Sequence, residues 1–169
     1  FIEMAGGTPH EEDLDGRSFL PVLKGQRDIH HEAVFAMHTT RGIYHGSEAF
    51  GIRAATNGDW LYIRNLHPHI AFENMVTDRG REYHSWKEVE SSFARDRVSL
   101  YQRRPEEELF FLPDDPWCLE NRAGEVEGRI LSSKLDAWMK QQGDLGDATE
   151  RDAENRQPEY KPWSKKGRY

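Results

Sequence analysis

Asn57-Gly58 constrains this chain more than any other pair of its residues. Asparagine and glycine tolerate the positive φ that tight hairpin turns demand, and they do so at low steric cost. Apolar-rich stretches at 50–55 and 60–64 flank the pair, with Thr56 and Asp59 on either side. The sequence therefore predicts an antiparallel hairpin, and a hairpin needs a sheet and a cover.

The rest of the sheet is sought in short apolar runs. Residues 33–37 (AVFAM) read as a buried strand, and residues 108–112 (ELFFL) as another, stopped by Pro113-Asp114-Asp115-Pro116. The cover is a helix over 125–142, where Val126, Ile130, Leu131, Leu135, Trp138 and Met139 fall largely along one face. Gly143 ends it. Residues 67–104 scatter Trp86, Val89, Phe93, Val98, Leu100 and Tyr101 among many charges, which predicts broken helix on the surface. Residues 8–14 read as a polar loop, followed by a short helix around Phe19 to Leu23 with Ser18 as its cap. The fold class is thus α+β: a small antiparallel sheet of three to four strands packed by a long C-terminal helix.

The first residues, FIEMAGG, read as the last turn of a helix closed by Gly6-Gly7. One turn alone is unstable in water, so the expectation is that the chain starts inside an element and is a fragment. The segments are then 1–25, the end of a preceding domain and its connection; 26–142, the α+β unit; and 143–169, an extended polar tail.

Composition narrows the function classes. Charged residues make up 31% of the 169 and apolar ones 36%, so the core is modest. A net charge of −7 argues against a nucleic-acid binder, which carries a basic face. No run reaches the roughly 18 apolar residues of a membrane span, and the lone Cys118 excludes an internal disulfide.

The densest chemistry lies at 38–53, HTTRGIYHGSEAFGIR. His38 follows a predicted strand, where a rigid scaffold presents functional side chains. Arg41 and Arg53 can hold a sulfate, phosphate or carboxylate through paired hydrogen bonds, and His45 can donate to an oxyanion or carry a proton. On composition alone the better reading of the stretch is a solvated loop whose histidines cap carbonyls. His30-His31 and His67-Pro68-His69 lack the spacing of a zinc site. Asp114-Asp115 could face a divalent cation, but the enclosing prolines make a turn the simpler reading. Cys118, between Trp117 and Leu119, reads as a buried, inert thiol, and Glu106 to Glu108 as a solvated face.

Taken in order, several segments resemble the C-terminal part of type I sulfatases. DGRSFLPVLKG (15–25) is similar to that family's DG-x-S segment with its LP pair, and FGIRAATNGDWLYIRN (50–65) to its IRA hairpin. RPEEELFFLPDDPWCLEN (104–121) is similar to its RPxEELYDL turn, and LDAWMK (135–140) to its closing helix. FAMHTTRGI (35–43) resembles a form seen in heparan N-sulfatase-like members.

The resemblance implies the C-terminal subdomain of an alkaline-phosphatase-like α/β fold. It implies an enzyme that hydrolyses sulfate esters or N-sulfates on a sulfated sugar or an aryl sulfate, using formylglycine and Ca²⁺. The Cys/Ser-x-Pro-x-Arg motif that yields formylglycine does not occur in these 169 residues. Nucleophile and metal are therefore expected from an N-terminal sulfatase domain, with no catalytic residue or metal ligand here and the isolated region inactive. His38, Arg41 and His45 would then recognise substrate, while Arg53 is structural. The same resemblance implies a periplasmic, extracellular or lysosomal-type compartment. The rival reading is a non-catalytic carbohydrate-binding or partner-binding module derived from such a domain.

Overall fold

The computed structural model describes residues 1–10, 14, 16–39 and 50–156. Four strands form one antiparallel sheet in the order β1-β2-β3-β4: β1 (Val34–His38), β2 (Ile52–Thr56), β3 (Trp60–Asn65) and β4 (Glu107–Phe111). Each strand pairs with the next in sequence, with Ala55 opposite Tyr62 and Tyr62 opposite Leu109. The architecture is the expected α+β arrangement. The β2–β3 turn stands at Asn57-Gly58, where Asn57 Oδ1 accepts from the backbone N–H groups of Asp59 and Trp60, and Gly58 takes a φ of 101°.

Helix α5 (Val126–Gln142) packs across β2 and β3. Leu131, Leu135 and Met139 meet Ala55, Tyr62 and Leu109 in the core, with Phe35 stacked on Trp138 at 5.3 Å. Val126 and Ile130 lie half-exposed at the flank of the predicted stripe. Gly143 ends the helix in the left-handed region, at a φ of 68°. Gly128 is buried because the chain crosses close by: an added Cβ would stand 2.9 Å from the Ala123 carbonyl oxygen.

Strand β1 is not the buried strand that its apolar run suggests. All its residues except Phe35 are exposed, because it lies at the sheet edge while α5 covers the centre. Between β3 and β4 stand three short helices, α2 (Met75–Arg79), α3 (Arg81–Glu88) and α4 (Ser92–Gln102), matching the expected broken helix. Asn74 caps α2 through a reciprocal box with Thr77. The N–H of Phe72 donates to the Gln102 carbonyl at 2.7 Å, so this excursion closes on itself.

The N-terminal residues form a turn with a Schellman pattern, Gly6 N–H to the Glu3 carbonyl and Gly7 N–H to that of Ile2. A short helix α1 (Leu20–Leu23) follows. Residues Phe1, Ile2, Met4, Leu14, Phe19 and Leu23 contribute to the walls of a cavity of about 640 Å³ there.

The stretch beyond Gly143 departs from the extended tail expected of it. It holds helix α6 (Asp147–Arg156), and Asp144 and Glu150 turn inward to bury their carboxylates. Hydropathy gives no sign of this, since what the segment contributes to the interior is charge.

Candidate functional site

The site is built at the end of the β1–β2 ladder where the chain leaves β1 and enters β2. His38 is the last residue of β1 and pairs with Ile52, the first of β2. Its imidazole is exposed and meets the Phe72 ring edge-on, 5.9 Å between centroids. Phe72 belongs to an aromatic cluster with Phe50 at 4.8 Å and Tyr101 at 5.8 Å. The guanidinium of Arg104 lies over both Phe72 and Tyr101 and stands 3.6 Å from a Glu108 carboxylate oxygen. A histidine so placed has a firm apolar floor and a face open to solute. Arg41 and His45 lie outside the described residues.

Beneath His38, on the opposite face of the sheet, Arg53 is fully enclosed. Its Nε and Nη2 donate to Asp144 at 2.5 and 3.2 Å, and Nη2 also donates to Glu150 at 2.9 Å. Nη1 donates to the main-chain carbonyls of Ile52 and His38, at 3.1 and 3.3 Å. Burial works against the guanidinium charge, but the two carboxylates more than offset it and hold its pKa above the ordinary arginine value. Burial likewise pushes Asp144 up, while Arg53 and the Gly146 N–H outweigh it and keep the carboxyl below its usual range.

A second contact ties α6 to the segment that follows β3. His67 Nε2 lies 2.6 Å from Asp147 Oδ1, and Arg151 pairs with the same carboxylate. His67 is buried, and its Nδ1 has no hydrogen-bond partner. His69 is 6.0 Å away ring to ring, and His30 and His31 stand edge-to-face at 4.0 Å.

Among the described residues, no group of three His, Cys, Asp or Glu side chains could hold a metal ion. Calcium takes about six to eight oxygen ligands, and the three buried carboxylates among the described residues are already engaged, Asp144 and Glu150 by Arg53 and Glu108 by Asn65 and Arg104. The described residues therefore do not fit a calcium site. Asp115 sits in the predicted turn, where its Oδ2 accepts from the N–H groups of Leu119 and Glu120. Cys118 is partly buried at a φ of 53°, and burial, with Asp115 and Glu108 nearby, pushes its thiol up, away from nucleophilic use.

No family model matches the chain. A curated protein does: over 149 residues the chain is 31% identical to the ulvan-active sulfatase of Formosa agariphila. The chain is similar to part of a sulfatase. The match takes in 86% of the chain and 28% of that sulfatase, so the chain spans little more than a quarter of its relative's length. The α+β frame fits a sulfatase C-terminal subdomain. On that footing His38 is the predicted binding residue whose surroundings are described. Asp144, Glu150 and the His67–Asp147 pair escaped the sequence reading. The available clue was Arg53 itself, since an arginine on the covered face of a hairpin requires buried acids.

Proposed function

We propose that this chain is the C-terminal region of a sulfatase that hydrolyses sulfate esters or N-sulfates of a glycan, with ulvan-type polysaccharide as the first candidate. The identity to a sulfatase over 149 residues is the observation that carries this reading. In it, formylglycine and Ca²⁺ belong to a preceding catalytic domain, where together they supply the nucleophile and stabilise developing negative charge. The present residues close the cleft and recognise substrate. His38, exposed on its aromatic floor, hydrogen-bonds the sulfated sugar, joined by Arg41 and His45. A polyanionic substrate suits imidazolium and guanidinium donors, which bind sulfate oxygens by charge-assisted hydrogen bonds.

The test is sulfate release from ulvan oligosaccharides and from a chromogenic aryl sulfate. The complete gene product is expected to release sulfate, and the 169-residue chain alone none. Turnover by the pure chain would refute this division of labour. A complete product that binds ulvan without releasing sulfate would make the region a carbohydrate-binding module instead.

A further inference from the structure

Arg53 is held more elaborately than charge neutrality requires. One carboxylate would balance it, yet Asp144 and Glu150 both reach it, and both are buried. Buried ion networks of this kind are often no more stabilising than a well-packed apolar substitute, so stability alone does not explain the arrangement. What it achieves is geometric. Asp144 takes Nε and Nη2, Glu150 takes Nη2, and Nη1 is left to face the main chain. There it donates to the carbonyls of His38 and Ile52, the pair at the end of the ladder where the chain leaves β1 and enters β2. Gly51 permits the close approach this needs, since a Cβ there would stand 3.0 Å from the Glu150 side chain.

We propose that Arg53 is a positioning residue for His38. Asp144 and Glu150 orient the guanidinium, and its Nη1 fixes the His38 backbone so that the imidazole meets substrate from one place on the Phe72 ring. The inference rests on the reading of His38 as a substrate-binding residue. Arg53 itself touches no substrate, since it lies on the covered face.

Two measurements test it, and the first needs no substrate. In the wild-type chain, the His38 ring protons, 5.9 Å from Phe72 centroid to centroid, are expected to carry a ring-current shift readable by NMR. Arg53→Lys keeps a positive charge but replaces the planar fork with a point donor. It is expected to remove that shift while the core Tyr62 ring signals stay in place. The shift persisting in folded Arg53→Lys would overturn the proposal. Should that variant fail to fold, Glu150→Gln, which leaves the Asp144 pair intact, is read in the same way.

The second measurement uses the complete gene product on ulvan oligosaccharides. His38→Ala and Arg53→Lys are each expected to raise KM about tenfold with kcat little changed, the size of one lost hydrogen bond. The double variant should be no worse than His38→Ala alone; additive losses would overturn the proposal. A product without sulfatase activity would count against the proposed function only, because the imidazole shift still decides the positioning.

Discussion

The guanidinium of Arg53 and the carboxylate of Asp144, 91 residues apart in sequence, meet at 2.5 Å where neither is open to solvent. That contact joins the root of the candidate site to a segment that hydropathy alone marks as a solvated tail. Glu150 shares the guanidinium, so removing Arg53 strands two buried carboxylates, whereas removing Asp144 leaves Arg53 still paired. Arg53→Met is therefore expected to cost about 3–5 kcal/mol in unfolding free energy, measured by denaturant titration, and Asp144→Asn less. The double change Arg53→Met with Asp144→Leu should cost less than the sum of the two single changes, because Asp144 is then no longer left as a stranded charge.

Acid should weaken the same contact. The Asp144 pKa lies below its ordinary 3.8 in the folded chain, whereas the unfolded chain titrates near that value. Above pH 4 or so, both states are ionised and the contribution is fully present. As pH falls, the unfolded state takes up its proton first, and the contribution drains away until the folded carboxyl also titrates. Asp115 and Asp147 are shifted in the same direction. Thermal melts should thus show a falling Tm below about pH 4, and a smaller fall in Asp144→Asn.

Gly51 offers a steric test of how closely α6 is seated. An added Cβ would lie 2.9 Å from a Leu66 methyl and 3.0 Å from Glu150, and Glu150 cannot retreat without leaving Arg53. Gly51→Ala should destabilise by about 1–3 kcal/mol, the usual cost of overpacking. Gly124→Ala, with open space around the new methyl, should stay within about 0.5 kcal/mol of wild type.

The α5 seam makes a similar contrast. Leu135 is fully buried against Ala55, Tyr62 and Leu109, so Leu135→Ala should cost about 2–5 kcal/mol. Val126 is half-exposed on the same helix, and Val126→Ala should move the denaturation midpoint far less. Equal losses at the two positions would mean that α5 packs with another face.

The features legible in the sequence are those whose cause is local. Asn57-Gly58 fixes a turn through its own side-chain and backbone preferences, Gly143 stops a helix by adopting a φ of 68°, and Asp115 makes its turn with neighbours four and five residues on. What stayed hidden depends on position in the whole. The apolar run of β1 gives no sign that it is an edge strand, since strand order is a property of the sheet. Helix α6 carries no apolar stripe to betray that it docks, because it docks by charge. For the candidate site, His38 was legible as a residue at a strand end, while the acids that steady it lie more than 100 residues further along the chain.

The neck formed by Phe72 and Gln102 has a consequence for how such a frame can diversify. Everything between those residues leaves and re-enters the domain through one doorway, so its length can change without shifting the register of β3 on β4. Closing a longer loop is inexpensive, at roughly 0.6 kcal/mol for each doubling. Helices of different size or shape can thus be grafted next to His38 on an unchanged sheet, giving evolution a place to retailor reach and selectivity.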